Sequence, residues 1–265
     1  MSLLELKAHG SVAVLTLNRP QTLNALGAQG DGQAIREVCE RVGSDPAFRC
    51  AVLTGAGKAF SAGGDVKAMR AREGVFGGGG TAVREKYRRE IQMLSRALYE
   101  LEIPLVAAVN GPAIGLGCDI ACLADVRIAS QSARFGVTFL KVGLIPGDGG
   151  AWLLQRVIGF SRAAELLFTG DVIDAATALE WGLVSRVVAP ERLHDEALAV
   201  AERIAAQPPH ALRLAKGLLR QGRDGSYAAT METSAAAQGL CHLTDDHIEG
   251  IDAVLEKRTP VFRGR

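Results

Sequence analysis

Apolar and polar residues are arranged in two different ways along this chain. Up to residue 190, short apolar runs of strand length are separated by segments in which apolar residues recur every three or four positions. The apolar runs predict strands at 11–17, 50–54, 105–109, 125–129 and 184–188. The helical spacing predicts helices at 28–43, 82–101, 116–123, 148–158, 162–168 and 175–181.

Beyond residue 190 the pattern predicts helices only. The segment 191–257 has helical spacing, with interruptions at 208–209 and 222–225. Mixed strands and helices followed by helices alone predict an α/β core with an all-helical C-terminal region. We place the core at 1–195 and the helical region at 196–265. Because the C-terminal helices carry many alanines and few large apolar side chains, we expect them to pack on the core or on another subunit.

Composition excludes several classes of function. The chain has 265 residues, of which 48% are apolar and 22% are charged, and its net charge is +1. This balance predicts no electrostatic attraction to nucleic acid, and the longest apolar runs fall short of the ~20 residues that a membrane helix needs. Five scattered cysteines predict a reducing, cytoplasmic setting, and no spacing of His and Cys predicts a metal site.

The segment 58–67 follows the strand predicted at 50–54. Its residues 61–64, Ser-Ala-Gly-Gly, leave the main chain uncovered just beyond the strand. Rigid main-chain N–H groups in such a place can stabilise a negative oxygen that develops during a reaction. The alternative is a glycine-rich turn that joins a strand to a helix.

A second segment of the same kind, 110–119, follows the strand predicted at 105–109. It contains Gly, Pro and Ala residues and leads into the short helix at 116–123. The N-terminus of that helix supplies further N–H groups at its positive end. Two such sets, from distant parts of the chain, suggest a pocket in which two N–H groups bind one oxyanion.

These segments resemble the signature regions of the enoyl-CoA hydratase/isomerase (crotonase) superfamily. Further blocks agree with the resemblance over nearly the whole chain, at 18–20, 23–26, 134–136, 143–150 and 257–262. The resemblance implies a crotonase-like spiral of β-β-α units, completed by the helical C-terminal region. It also implies a homotrimer, or a hexamer of stacked trimers, held together through that region.

The resemblance further implies where a substrate binds. It assigns the two oxyanion-binding N–H groups to Gly64 and Leu116, and the bound group to the carbonyl of a coenzyme A thioester. Coenzyme A is therefore expected as part of the substrate, with no permanently bound cofactor. The residues implied at the substrate are Ala25, Leu26, Ala62, Gly64, Asp65, Val66, Lys67, Leu116, Phe139 and Gly147. The acyl chain is expected to meet residues from the 70–100 region.

The residues expected to act as general acid and base differ from those of the resembled family. Hydratases of the resembled family use two glutamates; Asp119 stands at the first of these positions and Phe139 at the second. Phenylalanine cannot move a proton. Asp148 is a possible substitute, although an aspartate there also suits the N-cap of the helix predicted to follow it. We expect Asp119 to be the main proton-transfer residue and Asp148 an auxiliary one.

The sequence thus predicts an acyl-CoA enzyme that stabilises a thioester enolate. Hydration of a 2-enoyl-CoA and movement of its double bond are the leading reactions, and the loss of one carboxylate at Phe139 harms the second less. Hydrolysis, decarboxylation and ring opening on the same pocket stay open. A non-catalytic acyl-CoA-binding subunit is the alternative from another class.

Overall fold

The computed structural model describes residues 3–265, so Met1 and Ser2, which open the predicted core, lie outside it. Its strands are β1 Leu4–His9, β2 Val12–Leu17, β3 Cys50–Gly55, β4 Leu105–Val109, β5 Pro112–Ile114, β6 Val126–Ser130, β7 Arg134–Gly136, β8 Val172–Asp174 and β9 Arg186–Val188. Its α-helices are α1 Asp31–Ser44, α2 Val66–Ala71, α3 Gly80–Arg89, α4 Ile91–Glu100, α5 Leu116–Leu123, α6 Gly150–Ile158, α7 Phe160–Thr169, α8 Ala175–Glu180, α9 Leu193–Ala205, α10 Pro209–Asp224, α11 Tyr227–His242 and α12 Asp245–Glu256.

Two sheets form the core. The larger has the order β1-β2-β3-β4-β6-β9, in which β1 and β2 are antiparallel and the other neighbours are parallel. The smaller has the order β5-β7-β8. Two of its strands begin a few residues after a strand of the larger sheet ends, β5 after β4 and β7 after β6. Since β5 begins three residues after β4 ends, the chain turns from one sheet into the next at the second predicted oxyanion segment.

Alternating side chains of the large sheet face two helical layers. One face, with Leu15, Leu53 and Ala107, packs on the main cluster that includes α1, α4 and α5. The other face packs on α9, through a cluster of Val12, Val14, Cys50, Val52, Val106, Ala108, Ile128, Leu193, Ala197, Leu198, Val200, Ala201 and Ala205. The predicted α/β core with a helical C-terminal region is confirmed. The boundary predicted at residue 195 falls inside α9, and the division into two units stays a prediction.

The helix predicted at 82–101 is two helices, α3 and α4, that meet at Glu90. The break has a local cause, because the Glu90 carboxylate accepts hydrogen bonds from the N–H groups of Gly30 at 3.0 Å and Gly32 at 3.3 Å. This docking of Glu90 on the start of α1 pulls its backbone out of the regular helix, to φ −115° and ψ −72°. The prediction of one continuous helix was therefore wrong.

Four strands, the short helix α2 and a second helix break were also not predicted. The strands β5, β7 and β8 have three residues each, too few to show an alternating pattern. Strand β1 does alternate apolar and polar residues, but it is an edge strand whose second half is exposed, and it was not among the predicted strands. The helical stretch after residue 225 breaks again at Leu243 and Thr244, where the Thr244 hydroxyl caps α12 by accepting the N–H of His247 at 3.1 Å.

Buried charge ties α10 to the core. The Lys216 ammonium donates to the carbonyl oxygen of Ile103 at 2.6 Å and lies 2.8 Å from the Asp125 carboxylate. Arg220, one turn further along α10, lies 3.6 Å from the same carboxylate. Within residues 3–265 no helix is long and apolar enough to cross a membrane, and no group of three or more His, Cys, Asp or Glu side chains is arranged to hold a metal ion.

Candidate active site

Side-chain hydrogen bonds hold the loop after β3 in place. The buried Asn24 amide donates to the carbonyl oxygens of Ala56 and Ala59 at 2.9 and 2.8 Å. The Ser61 hydroxyl donates to the carbonyl oxygen of Asn24 at 2.8 Å and accepts the N–H of Gly63 at 3.1 Å. Because the polar groups on both sides of the loop are satisfied within the protein, residues 61–64 have a fixed main-chain geometry.

This loop runs directly alongside β5. The N–H of Ser61 donates to the carbonyl oxygen of Pro112 at 3.1 Å, and the N–H of Ile114 donates to the carbonyl oxygen of Ser61 at 3.0 Å. Gly63 has φ +82°, and a Cβ atom there would overlap the carbonyl oxygen of Ile114. Only glycine therefore allows the two segments to approach this closely.

The approach brings the predicted oxyanion donors to one cavity. Gly64 and Leu116 both line it, and within residues 3–265 neither N–H group has a hydrogen-bond acceptor. The N–H of Leu116 belongs to the first turn of α5, where a helix offers no internal acceptor. The geometry thus leaves two donors free for an oxygen that enters the cavity.

The cavity has a volume of about 70 Å³ and is mainly apolar. Six of the residues predicted at the substrate or in catalysis line it: Ala62, Gly64, Val66, Leu116, Phe139 and Asp148. The structure adds residues that were not predicted: Met69, Tyr87, Ile91, Ile114, Gly115, Thr138, Val142 and Leu144. Tyr87 and Ile91 come from the 70–100 region that was expected to meet the acyl chain.

Phe139 stands in the cavity wall on a short 3-10 helix, Thr138–Val142. Its ring packs over Gly115, where a Cβ atom would lie 3.7 Å from Cζ. The position that holds the second glutamate in resembled hydratases is thus filled by an apolar ring, next to the start of α5. Asp148 is the one carboxylate that lines the cavity in the described part of the chain.

Asp119 lies behind the cavity and does not line it. Its side chain is 1% exposed and packs against Gly150, at the start of α6. Both carboxyl oxygens of Asp119 and Oδ1 of Asp148 are buried with no hydrogen-bond partner within residues 3–265. Unpartnered buried oxygens are costly, which marks this pair as more than a structural contact.

The pKa values of the two carboxyl groups shift together. Burial, followed by the negative charge of Asp148, raises the pKa of Asp119 well above its ordinary value. Burial also raises the pKa of Asp148, although Asp119 partly opposes that rise. Because burial raises the pKa of both carboxyl groups and the charge of one opposes ionisation of the other, the pair holds one proton between them more readily than it ionises twice.

Asp148 lies just before the N-cap residue of the helix that follows it. The N-cap position of α6 is taken by Gly149, with no side-chain hydrogen bond to the first turn. The Asp148 carboxylate lies one residue earlier and interacts with the N–H of Gly150, the first residue of the helix, so a capping role for Asp148 stays a prediction. Burial is the larger influence and raises the pKa of Asp148, although the hydrogen bonds that its carboxylate accepts oppose the rise.

Tyr87 is the main residue that the sequence did not reveal. It is half-buried and lines the cavity with Asp148, and burial and the Asp148 charge raise its pKa. Tyr87 also packs against the loop that carries Asp148, since a Cβ atom at Gly147 would lie 3.0 Å from Cε1 of Tyr87. A tyrosine in an amphipathic helix gives no sign of this in the sequence.

The other predicted residues lie beside the cavity. Leu26 is buried and bridges to Gly64, with Ala25 preceding it. Asp65 caps α2 by accepting the N–H groups of Lys67 and Ala68 at 2.9 and 3.1 Å, and the Lys67 side chain is exposed on that helix. Gly147 accepts a hydrogen bond from the Gln92 amide at 2.9 Å. The roles of these residues at a substrate stay predictions.

Comparison with known proteins identifies the family. Residues 7–265 match the family model described as enoyl-CoA hydratase/isomerase. A crotonyl-CoA hydratase of Syntrophomonas wolfei is 39% identical over 264 residues, covering 97% of this chain and 96% of the relative. A 1,2-epoxyphenylacetyl-CoA isomerase of Escherichia coli K12 is 37% identical over 254 residues, covering 96% and 95%.

Solved structures agree. An enoyl-CoA hydratase from Bacillus anthracis superposes with a TM-score of 0.91 at 34% identity, covering 99% of this chain and 100% of the other. The fold is accordingly the crotonase fold, and the class is that of acyl-CoA-processing enzymes, lyases or isomerases. This chain belongs to the enoyl-CoA hydratase/isomerase family.

Proposed function

We propose that this enzyme moves the double bond of an enoyl-CoA thioester from the 3- to the 2-position, and that Asp148 carries the proton. The observation behind the proposal is the make-up of the cavity wall. Asp148 is its one carboxylate within the described residues, and Phe139 fills the place of a second. Isomerisation needs one group that takes a proton and returns it, whereas water addition by the family's usual route needs two carboxylates.

In the proposed first step the thioester oxygen accepts the N–H groups of Gly64 and Leu116. The Asp148 carboxylate then removes a proton from the α-carbon, and the electron pair of that C–H bond moves through the carbonyl to give a dienolate. The negative oxygen gains from the two rigid donors, each of which is worth roughly 2.7–4 kcal/mol in comparable oxyanion holes. The raised pKa of Asp148 makes its carboxylate a better base than an exposed aspartate.

In the second step the same carboxyl group returns its proton to the γ-carbon. The dienolate collapses to the conjugated 2-enoyl thioester, so the reaction is balanced and consumes no water. The apolar wall of Phe139, Ile91 and Leu144 keeps water from competing for the dienolate. Asp119, protonated and buried behind Asp148, acts as a positioning residue. This exchanges the roles that the sequence suggested for the two aspartates.

Hydration is the second candidate, because a protonated Asp119 next to an ionised Asp148 is also an acid and base pair. The relatives named above include a hydratase and an isomerase. Product analysis separates the reactions: the enzyme is given 3-hexenoyl-CoA and, separately, crotonyl-CoA, and products are followed by chromatography. Our proposal predicts that the unaltered enzyme isomerises 3-hexenoyl-CoA faster than it hydrates crotonyl-CoA. It also predicts that the Phe139→Glu variant hydrates crotonyl-CoA faster than the unaltered enzyme does. Faster hydration by the unaltered enzyme would contradict it.

We also propose that the chain assembles as a trimer or hexamer through its helical C-terminal region. The support is a set of large apolar side chains at least 75% exposed on α10, α11 and α12 and their connections: Leu219, Tyr227, Leu243, Val254 and Leu255. Light scattering over a dilution series tests this, and a fully active monomer would contradict it.

Five free cysteines fit the proposed cytoplasmic setting, which fractionation of the source cells would check.

A further inference from the structure

A second cavity adjoins the candidate active site. It has a volume of about 500 Å³ and shares Tyr87 and Leu144 with the small cavity that holds Asp148. We call it the vestibule, and its other lining residues are Arg84, Arg88, Gln92, Ile145 and Gly147. Because Tyr87 and Leu144 belong to both walls, the two cavities are separated only by these side chains.

One wall of the vestibule is positively charged. Arg84 and Arg88 are four residues apart on α3, so their side chains leave the same face of the helix. Two like charges at this spacing repel each other and destabilise the helix slightly. Glu85 is the acidic partner of both, with its Oε1 2.7 Å from Arg84 Nη1 and 3.6 Å from Arg88 Nη1. One carboxylate against two guanidinium groups leaves the wall with an excess positive charge.

The facing wall is apolar and exposed. Leu144 is 37% exposed and Ile145 is 73% exposed, both in the loop that leads to Asp148. Methylene groups of a ligand would cover these side chains, which is favourable because it removes apolar surface from water. A ligand that suits both walls therefore has a hydrocarbon segment followed by an anionic end.

We propose that the acyl group handled by this enzyme ends in a carboxylate, so that the substrate is the mono-thioester of an unsaturated dicarboxylic acid. The inference rests on the proposed function for the position of the thioester oxygen. The carbon chain passes Tyr87 and Leu144, and the terminal carboxylate binds Arg84 and Arg88. Guanidinium groups suit this task because they bind carboxylates through two parallel N–H bonds.

The phosphates of coenzyme A are the other anionic groups that could reach the arginines. The apolar wall of Leu144 and Ile145 offers nothing to a diphosphate. Cations also stand on the other side of the small cavity, because Val66 of its wall begins α2, which carries Lys67 and Arg70. We therefore assign the vestibule to the acyl end, and let the experiment distinguish the two sources.

The experiment compares carbon-matched ligands with and without the terminal carboxylate. Binding of the unreactive saturated thioesters adipoyl-CoA and hexanoyl-CoA is measured by calorimetry for the unaltered enzyme and for an Arg84→Gln/Arg88→Gln variant. Arg89→Gln is the matched control, since Arg89 lies on the same helix and outside the vestibule. Turnover of the mono-CoA ester of 3-hexenedioic acid and of 3-hexenoyl-CoA is measured alongside.

We expect the unaltered enzyme to bind adipoyl-CoA about tenfold more tightly than hexanoyl-CoA, in line with two partly exposed ion pairs. The double variant should lose this preference and leave hexanoyl-CoA binding within twofold, and Arg89→Gln should change neither. Equal affinity for the two ligands in the unaltered enzyme would overturn the inference. The inference would also be overturned if the double variant lost affinity equally for adipoyl-CoA and hexanoyl-CoA, and if this loss disappeared with pantetheine thioesters, which lack the diphosphate. That pattern would assign the two arginines to the phosphates of coenzyme A.

The proposed function can fail separately. If the enzyme isomerises neither unsaturated thioester, the reaction assignment is refuted, while the calorimetric preference still supports or overturns the carboxylate site. If it isomerises both and prefers neither, the reaction stands and the substrate inference is overturned.

Discussion

The carboxyl group of Asp119 packs directly on the Cα atom of Gly150. A Cβ atom at Gly150 would overlap Oδ1, Oδ2 and Cγ of Asp119 together. Only a residue without a side chain fits at the start of α6, because Asp119 of α5 occupies the space of a Cβ atom. The same contact places Asp119 beside Asp148, which precedes Gly150 by two residues. The two carboxyl groups meet because these helices pack, and this packing defines the chemistry of the cavity.

Replacement of Gly150 by alanine tests that packing. The added methyl group must displace the Asp119 carboxyl, and we expect a loss of about 1–3 kcal/mol in the free energy of unfolding. Gly43→Ala is the control, since Gly43 lies in α1, outside the proposed subunit interface, and a Cβ atom there would make only an ordinary contact with Leu101 Cδ1 at 3.8 Å. That variant should gain roughly 0.5–1 kcal/mol. Equal stability of the two variants in denaturant titrations would contradict the contact.

The two aspartates should respond differently to the same substitution. Asp148→Asn removes the proposed base and should lower kcat for isomerisation by about 10²–10⁴. Asp119→Asn replaces a protonated acid with a group of similar shape that also donates, so we expect kcat within about tenfold of the unaltered enzyme. Stopped assays with 3-hexenoyl-CoA measure both. The opposite order would restore Asp119 as the main proton-transfer residue, as the sequence first suggested.

A proline substitution can remove the N–H of Leu116 while leaving α5 intact. Proline is tolerated in the first turn of a helix, where its missing N–H has no internal acceptor. Leu116→Pro should therefore lower kcat by about 10²–10³ through loss of one oxyanion donor. Leu116→Ala keeps the donor and controls for the side chain, which is itself part of the cavity wall. If both variants lose the same activity, the N–H is not the group that matters.

Lys216 makes stability depend on pH in a defined direction. Burial lowers the pKa of its ammonium from 10.5 to about 8, although Asp125 opposes the shift. Between these values the unfolded chain binds more protons than the folded one, so this contribution to stability is present above 10.5 and lost as pH falls through about 8.

The test compares the unaltered protein with Lys216→Met between pH 8 and 9. The stability difference in favour of the unaltered protein should grow with pH, by at most about 1.4 kcal/mol per pH unit. Burial raises the pKa of Cys39 and Cys50 to about 12, which lowers stability as pH rises. The Lys216 charge itself lowers both thiol pKa values, so the difference is read between pH 8 and 9, where both thiols remain largely protonated in the folded state of each protein. A difference independent of pH would contradict the buried position of the ammonium.

Much of the fold could be predicted from the sequence, because β4 is wholly apolar and β2, β3 and α5 each have a single polar residue, Thr16, Thr54 and Asp119, in an otherwise apolar or small-residue run. The strands of the smaller sheet could not, since three residues are too few to show alternation. The break at Glu90 also escaped, because its cause is a hydrogen bond to residues some 60 positions earlier in the chain.

The candidate site was partly predictable for the same reason. Gly64 and Leu116 follow strands, so their place at a sheet edge could be expected from local pattern. The burial of Asp119 behind Asp148 depends on the packing of α5 on α6, and an aspartate before a helix looks like a cap in sequence. Tyr87 reaches the cavity from a helix that follows a glycine-rich loop, whose path no periodicity defines.

Exchange of α-protons tests the central claim most directly, because it reports enolate formation without any later step. The enzyme is incubated with butyryl-CoA in D₂O, and loss of the α-proton signal is followed by NMR. We predict exchange with the unaltered enzyme and with Asp119→Asn, and at least a hundredfold slower exchange with Asp148→Asn. Exchange by Asp148→Asn at the rate of the unaltered enzyme would contradict the account.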